Sequence, residues 1–458
     1  MKDTQYMGNL KVGFAEVVIN PKMGVPLFGY YVPRFAKGVL DDLKASALAL
    51  NAGETVIMIS IDNCGIMKTV MEKMLDAVSA ATAVDRDNLF IGCTHTHTAP
   101  FAQVGDAFSM DEKAVEEYRD FLIERVAEAA RLAVLDMKPA KMGYAVVKAP
   151  ERIAYIRRYR MKDGSIMTCP PVNDTGIVSP IGTLDPRVNV VRFDREAANS
   201  IVIMNYGLHA DTIGGELISA DWVHWVKKTI NLALEGTDCI CFVGAQGDVG
   251  STNVHPTKSD MNDTEISFDN EMKSPGMARF VGRALAGAVL QVYDKVEYVD
   301  VEDAKIVHRI LKVKANVPDK KDLPRAHKYK ELHESGRDDL IPFEAMELTT
   351  VVAEAIRMCR MEHGPEYYEL HFSGLRIGNI AFIGIPGEPF TEIGVKIKDT
   401  DGWDMICPSI NTNGKEGYFP SESAFNEGGY EARTSPYTSS IASEIVNCCK
   451  EILLELKK

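Results

Sequence analysis

Apolar and polar positions follow two alternating periods along this chain of 458 residues. Short apolar runs bounded by polar residues predict buried strands at 11–19, 45–50, 56–61, 88–93, 188–193, 200–205 and 239–244. Apolar positions three or four residues apart predict helices at 68–81, 115–135, 221–234, 279–292 and 437–458. The segment 302–317 alternates as strands do, and 375–385 is typical of a hairpin that turns at Gly378-Asn379. Strands that alternate with helices indicate the α/β class.

The chain has no internal repeat, low-complexity tract or linker that would divide it. We therefore expect residues 1–458 to form a single domain. A charged segment at 318–368 has a helical pattern. This segment fits an inserted helical lid and an ordinary packed helical layer equally well, and the sequence does not separate the two.

The composition narrows the classes of partner and the compartment. The formal net charge is -14 and no run of Lys or Arg stands out, which argues against nucleic acid as a partner. No apolar stretch has the length of a membrane span. The nine cysteines form no CxxC pair and the first residues lack the apolar segment of a signal peptide, so we expect a reduced, cytoplasmic protein. A homo-oligomer is compatible with the sequence.

The pair His95 and His97 follows the apolar run at 89–93, within Thr94-His95-Thr96-His97. Side chains two apart along a strand share a face, so we expect both imidazoles to leave the strand end together. Two imidazoles on one face suit a metal ion or acid–base chemistry. The alternative is a pair of hydrogen-bonded core histidines, which the pair alone does not exclude.

Three more apolar strands end in polar residues, and strand ends are where α/β sheets place their sites. The strand at 200–205 leads to His209, the strand at 239–243 leads to the glycine-rich segment 244–250, and 381–385 leads to Glu388 between two prolines. Taken singly, His209 fits a satisfied buried histidine and Glu388 fits an exposed turn residue. Recurrence at four strands favours a shared site, because two His and one Glu form a common catalytic zinc set with one position left for water.

An ordered series of short motifs gives the chain a resemblance to a known family. The series is Gly29-Tyr30, THTHTAP at 94–100, Tyr-Ile-Arg-Arg at 155–158, Asp185-Pro186, NYGLHAD at 205–211, SAD at 219–221, GAQGDVG at 244–250, PGEPF at 386–390, EGY at 416–418 and GGYEA at 428–432. In this order the motifs resemble the neutral/alkaline ceramidase family, which are zinc-dependent amidases that cleave N-acylsphingosine. The resemblance implies a layered sandwich of mixed β-sheets flanked by helices, with zinc at the carboxyl ends of strands. Large secreted members carry a C-terminal immunoglobulin-like domain that this sequence lacks, so we expect a short bacterial relative with the catalytic domain only.

The resemblance also implies roles for single residues, matched motif by motif. The implied zinc ligands are His95, His209, Glu388 and Tyr418. The implied catalytic groups beside the substrate amide are His97, Arg157 (with Arg158 adjacent) and Tyr430. The implied substrate-binding positions are Gly29, whose backbone approaches the substrate, Gly250 and Ser251.

Two positions depart from the family pattern. The family's GDVS motif ends in a serine assigned a catalytic role, and this chain has Gly250 there with Ser251 one place later. Ile156 stands where the family usually has Asn before the arginine. Both changes concern the expected substrate side and leave the expected metal ligands intact. We therefore expect Zn2+ as the cofactor and a small N-acyl amine, rather than ceramide, as the substrate.

Two other functions fit the same motifs. An HxH pair at a strand end is also typical of metal-dependent amidohydrolases or esterases that open a cyclic amide or ester, and two metal ions per chain would favour that class. A non-catalytic, metal-stabilised binding protein would hold a metal and turn over no amide or ester. Metal content and turnover together separate these functions from a zinc amidase.

Overall fold

The computed structural model describes residues 9–103, 111–266 and 272–458, with the side chains of 265 and 266 left aside. The helices of these segments are Lys68–Thr82, Glu112–Leu135, Trp222–Ala233, Pro275–Tyr293, Leu323–Glu334, Ala345–Met361, Thr391–Lys398, Glu422–Glu427, Tyr430–Thr434 and Ile441–Leu456. No helix in these segments is long and apolar enough to cross a membrane.

Two mixed sheets form the framework of the protein. Eight strands of the larger, nine-stranded sheet lie in the order Thr237–Val243, Ser200–Tyr206, Arg187–Arg195, Lys138–Lys148, Lys11–Val18, Lys44–Ala52, Glu54–Ile61 and Leu89–Cys93, and Glu297–Val299 pairs with Lys138–Lys148. The four-stranded sheet has the order Ala304–Lys314, Tyr367–Ile377, Ile380–Gly384 and Met405–Ser409. Most neighbours are antiparallel, and the parallel pairs are Ser200–Tyr206 with Thr237–Val243, Glu54–Ile61 with Leu89–Cys93, and Ile380–Gly384 with Met405–Ser409.

Short strands outside these two sheets pair with one another and hold together the loops that surround the sheets. The two-stranded pairs are Gly38–Val39 with Leu217–Ile218, Tyr155–Ile156 with Val249–Gly250, Glu265–Ile266 with Met272–Lys273, and Glu388–Pro389 with Tyr418–Phe419. A three-stranded ribbon contains Ile177–Pro180, Arg158–Met161 and Ile166–Thr168.

One apolar core lies between the two sheets, and further apolar cores lie between each sheet and the helices that cover its outer face. Successive side chains of a strand point to opposite faces, so Leu48 enters the core between the sheets while Ala47 faces the helices. The larger sheet is covered by Lys68–Thr82, Glu112–Leu135, Trp222–Ala233 and Pro275–Tyr293, and the smaller by Thr391–Lys398 and Ile441–Leu456. This arrangement confirms the predicted α/β sandwich of mixed sheets flanked by helices.

The larger sheet is curved enough for strands near its two edges to meet. Among the described residues, its two halves join through two residue pairs, Lys11 with Pro139 and Val12 with Lys138. Ser60 Oγ donates a hydrogen bond to the carbonyl oxygen of Cys241 at 2.6 Å across the closed gap. Loops that follow strands far apart in the strand order can therefore lie next to one another.

The region 318–368 contains the helices Leu323–Glu334 and Ala345–Met361, as its pattern predicted. Arg433 links the second helix to Tyr430–Thr434, because its guanidinium donates to Glu347 at 2.8 Å and to Glu354 at 2.7 Å. Whether this region is an insertion in a single domain stays a prediction.

Candidate metal centre

The loop after Leu89–Cys93 turns sharply at His95. The residue has φ of 68°, a left-handed conformation that non-glycine residues seldom adopt. This turn ends the strand alternation, so the two histidines do not share a face in the way that an extended strand predicts. Their rings converge all the same, with His95 Nε2 and His97 Nε2 3.2 Å apart in buried space. Backbone strain of this kind is frequent at functional sites.

His209 and Glu388 reach the same point from two other strand ends. Glu388 Oε2 lies 3.0 Å from His95 Nε2 and 3.3 Å from His209 Nε2. One ligand atom from each of the three residues lies within 4.8 Å of the other two, and all three residues are buried. Residues that are far apart in the sequence thus form one cluster, here called the His-His-Glu cluster.

Backbone carbonyl groups fix which ring nitrogens carry hydrogen. His95 Nδ1 lies 2.6 Å from the carbonyl oxygen of Cys64, and His209 Nδ1 lies 3.0 Å from those of Gln246 and Val249. A carbonyl oxygen only accepts hydrogen bonds, so Nδ1 carries the hydrogen in both rings and the neutral imidazole has its lone pair on Nε2. When both rings are neutral, the two lone pairs face the same carboxylate oxygen, which then has no hydrogen-bond donor among the described residues.

The charges of the cluster leave a place for a cation. Burial and Arg157 lower the pKa of His209 to about 3, so this ring is neutral at physiological pH. Burial opposes protonation of His95, but Glu388 raises the pKa of His95 to about 10. Against the effect of burial, His95 and Lys415 hold the pKa of Glu388 well below its usual value. A proton on His95 satisfies one of the two contacts to the carboxylate oxygen, whereas a divalent cation satisfies both.

Arg157 and Tyr418 adjoin the His209 side of the cluster. The guanidinium donates from Nη2 to the Tyr418 phenol oxygen at 3.1 Å and to the Gly247 carbonyl oxygen at 2.9 Å. Its Nε donates to the Glu431 carboxylate at 2.7 Å. Arg157 Nη1 and the phenol oxygen lie 3.4 and 3.5 Å from His209 Nε2. Tyr418 is therefore near enough to become a further ligand after a small movement.

The neighbouring Arg158 points away from the cluster. Its Nη2 donates to the Gly428 carbonyl oxygen at 2.9 Å and to Glu427 at 3.1 Å. Of the two adjacent arginines, Arg157 is the one that lies beside the cluster. Tyr430 packs against Tyr418 on the side of the cluster that Arg157 also adjoins. The two tyrosine ring centroids are 5.7 Å apart in an edge-to-face contact.

His97 lies beside the cluster with a carboxylate behind it. Its Nδ1 is 3.6 Å from Asp211 Oδ1. Tyr30 donates its phenol hydrogen to the same carboxylate, and Lys273 Nζ donates to it at 2.9 Å. Burial and the two nearby imidazoles hold the pKa of His97 well below its usual value, so the ring is neutral and can accept a proton.

The expected substrate-binding positions lie close to these groups. Gly29 has φ of 109°, and a Cβ there would lie 2.8 Å from Cγ of His97, so a side chain at 29 would displace the imidazole. A Cβ at Gly250 would lie 3.8 Å from Cβ of Arg157, which is an ordinary contact. Position 250 therefore faces Arg157 and has room for a side chain, and the buried Ser251 follows it.

Ile156, the second departure from the family pattern, packs in the protein core. It pairs with Val249 and belongs to the apolar cluster that also contains Leu208 and Trp222. This packing accounts for an apolar residue at this position.

Three residues that adjoin the cluster were not predicted from the sequence. Lys415 Nζ donates to Glu388 Oε1 at 3.2 Å, Glu431 holds Arg157, and Cys64 contacts His95. The strand-end argument could have identified Cys64, because it follows the strand Glu54–Ile61 by three residues. No local pattern shows that Lys415 and Glu431 lie beside the cluster.

Comparisons with known proteins agree with the architecture. No protein-family model matches the sequence, and no curated protein is significantly similar to it. The solved structure of neutral ceramidase from Pseudomonas aeruginosa superposes with a TM-score of 0.69 over 98% of this chain and 74% of that chain, at 14% sequence identity. A ceramidase complexed with C2 gives a TM-score of 0.68 over 98% and 75%, at 15% identity. This layered α/β protein therefore has the fold of neutral ceramidase, as the motif series led us to expect.

Proposed function

We propose that this protein is a zinc-dependent amidase that hydrolyses a linear N-acyl amine. The observation that carries the proposal is the convergence of two imidazole nitrogens on one buried, ionised carboxylate oxygen, at 3.0 and 3.3 Å. Two His and one Glu are a common donor set of catalytic zinc sites, and backbone carbonyl groups that fix the ring tautomers are a regular feature of such sites. The fold shared with neutral ceramidase supports amide hydrolysis as the reaction.

The residues that would hold the metal are His95, His209 and Glu388, with Tyr418 as a further donor. Zinc with an open coordination position polarises an amide carbonyl and makes a water molecule acidic enough to act as a nucleophile near neutral pH. Lys415 holds the second carboxylate oxygen of Glu388 at 3.2 Å, which leaves Oε2 directed at the two imidazoles.

Proton transfer is assigned to His97. The ring is neutral, lies 3.2 Å from His95 Nε2, and has Asp211 behind its other nitrogen. It can take a proton from the attacking water and deliver one to the nitrogen of the leaving amine, which is general base and then general acid catalysis. Asp211 stabilises the charge that the ring carries between these two steps.

Attack on the amide carbonyl places negative charge on its oxygen, and hydrogen-bond donors that are already oriented stabilise this charge best. Arg157 meets this requirement, because Glu431, Gly247 and Tyr418 hold its guanidinium beside His209. A fixed donor of this kind typically contributes about 10²–10³ in rate. The Tyr430 phenol is a second donor on the same side, and Gly29 leaves room for the substrate against His97.

Metal analysis and an amide assay test the proposed function. The protein as purified should contain close to one zinc per chain, lose amide hydrolysis on chelation, and regain it on addition of zinc. Two metal ions per chain with turnover of a cyclic amide or ester would instead favour the second class of hydrolase. Bound zinc without turnover of any amide or ester would identify a non-catalytic protein and overturn the proposal.

We expect a preference for short acyl chains over long-chain ceramide. A long acyl chain gains about 0.8 kcal/mol for each buried CH2, which requires a continuous apolar surface. Polar groups instead adjoin the cluster and His97, among them the phenols of Tyr30, Tyr418 and Tyr430 and the guanidinium of Arg157. A panel of N-acyl amines from acetyl to stearoyl, scored by kcat/KM, measures the preference, and a maximum at long acyl sphingosines would contradict it.

Replacing Ser251 by alanine should reduce activity by less than about tenfold, or roughly 1.4 kcal/mol of barrier. Position 250 faces Arg157, and neighbouring residues on an extended segment point to opposite faces, so Ser251 should point away from the reacting amide. The matched variant is Gly250→Ser, which restores the family's residue where there is room for it. A thousandfold loss in Ser251→Ala with zinc still bound, or an acyl adduct on Ser251, would show that the serine takes part.

A further inference from the structure

A buried arginine joins three loops that meet at His97. Arg34 is 6% exposed, and its Nη2 donates hydrogen bonds to the carbonyl oxygens of Phe28 at 2.6 Å and His97 at 2.7 Å. Its Nη1 donates to the carbonyl oxygen of Gly215 at 2.9 Å. The three acceptors lie on loops that follow three different strands, so one guanidinium fixes the loops relative to one another.

Each of these loops also carries a group that forms or surrounds the imidazole of His97. Gly29, on the first loop, approaches this ring so closely that a Cβ would lie 2.8 Å from Cγ of His97. Tyr30 follows it, with its ring centroid 5.5 Å from that of the imidazole, and donates its phenol hydrogen to Asp211. Asp211 precedes Gly215 on the third loop, and its Oδ1 lies 3.6 Å from His97 Nδ1.

The bonding partners of Arg34 are unusual for a buried cation. All of its hydrogen bonds among the described residues go to backbone carbonyl oxygens, and its Nε has no partner there. Buried charges are usually paired with an opposite charge, and a neutral amide could hold carbonyl groups without the cost of burying a charge. The guanidinium carbon lies 4.0 Å from the centroid of the Tyr30 ring. A cation at this distance makes the phenol a stronger hydrogen-bond donor to Asp211.

We propose that Arg34 is a positioning residue that holds His97 and the groups around it in place for proton transfer, an inference that rests on the proposed function. The planar guanidinium presents its N–H groups in a fixed fork and can hold three carbonyl oxygens at once, whereas a lysine ammonium is a compact charge on a flexible stem. Other backbone carbonyl groups hold the imidazoles of His95 and His209. Loss of Arg34 should therefore impair proton transfer and leave zinc in place.

Arg34→Ala and Arg34→Lys in the zinc-loaded protein test this role. Both should lower kcat by about 10²-fold, the effect of displacing a reacting group by roughly 1 Å. The zinc content should stay at one per chain and KM should stay within about threefold, because substrate and metal binding use other groups. Guanidinium ion added at millimolar concentration should restore part of kcat in Arg34→Ala, since it can occupy the space that the side chain leaves.

The matched control is Arg195→Ala. Arg195 is similarly buried, at 7% exposed, and its Nε donates to the carbonyl oxygen of Asn199 at 2.6 Å. Asn199 precedes the strand Ser200–Tyr206, whose opposite end leads to His209, so this arginine is remote from the cluster. Its replacement should lower the free energy of unfolding and leave kcat unchanged.

Amide hydrogen exchange separates this inference from the proposed function. The backbone amides of Phe28 and His97 donate to carbonyl oxygens at 2.8 and 3.1 Å. They should exchange at least about tenfold faster in Arg34→Ala and at an unchanged rate in Arg195→Ala, because only the first variant unties the loops. Faster exchange together with an unsubstituted protein that hydrolyses no amide would overturn the proposed function alone. In an active enzyme, unchanged kcat in both Arg34 variants, or loss of zinc along with kcat, would overturn the positioning role.

Discussion

Alanine in place of His95, His209 or Glu388 is expected to abolish stoichiometric zinc binding. The same variants should lower kcat/KM for an N-acyl amine by at least about a thousandfold, or roughly 4 kcal/mol of barrier. Each substitution removes one of three donor atoms that lie within 4.8 Å of one another, and the two that remain cannot form a closed set of protein ligands. Elemental analysis of the purified variants measures the metal, and release of the free amine measures the activity.

A histidine outside the cluster provides the matched control. His371 lies on the smaller sheet, where its Nε2 is 2.8 Å from Lys68 Nζ. His371→Ala should keep one zinc per chain and nearly full activity. Thermal unfolding of each metal-free variant separates loss of a ligand from loss of the fold. A folded His209→Ala protein that still holds a full equivalent of zinc at high affinity would show that the metal lies elsewhere.

The apolar pattern predicted most of the elements that build the framework, because most strands and helices bury one clear face. The predicted hairpin at 375–385 is present, with Gly378 at φ of 58° between Tyr367–Ile377 and Ile380–Gly384. The segment 302–317, which alternates as strands do, forms one long strand, Ala304–Lys314.

Among the elements that escaped prediction are two strands and one helix whose burial comes from distant partners. Lys138–Lys148 is rich in polar residues and small residues, yet it pairs with three strands at the joint of the larger sheet. Its Gly143 is poor in strand propensity, but a Cβ there would lie 2.8 Å from Val296. Met405–Ser409 is short and contains Pro408, and it is buried against Ile380–Gly384. The helix Thr391–Lys398 is too short to show a clear period.

The same limit applies to the site. The strand-end argument named the segments of His95, His209 and Glu388, because each follows an apolar strand. It could not reveal the closure of the larger sheet, in which Ser60 meets Cys241, and that closure is what allows distant strand ends to meet. Tyr418 came from the resemblance alone, since it follows no long strand. In the sequence, Lys415 and Glu431 look like ordinary surface charges, because nothing local shows that they bond to Glu388 and Arg157.

Replacing His97 by alanine is expected to lower kcat by about 10²–10⁴-fold while zinc stays bound. The reason is that the two neighbouring histidines, His95 and His97, have different hydrogen-bonding surroundings. The backbone carbonyl of Cys64 fixes the tautomer of His95, whereas the side chain of Asp211 lies 3.6 Å behind His97. A ring backed by a carboxylate suits a group that gains and loses charge in each turnover. Single-turnover kinetics and metal content of the same preparation measure the two effects separately.

The control for His97 is an amide of similar size at the same position. His97→Asn keeps a polar group beside His95 but cannot exchange a proton near neutral pH, so it should be as inactive as His97→Ala. The close contact of His97 Nε2 with His95 Nε2, at 3.2 Å, makes the opposite result physically reasonable. If His97→Ala loses zinc as completely as His95→Ala does, then His97 is itself a ligand. Proton transfer would in that case have to come from another group near the cluster, such as Tyr430.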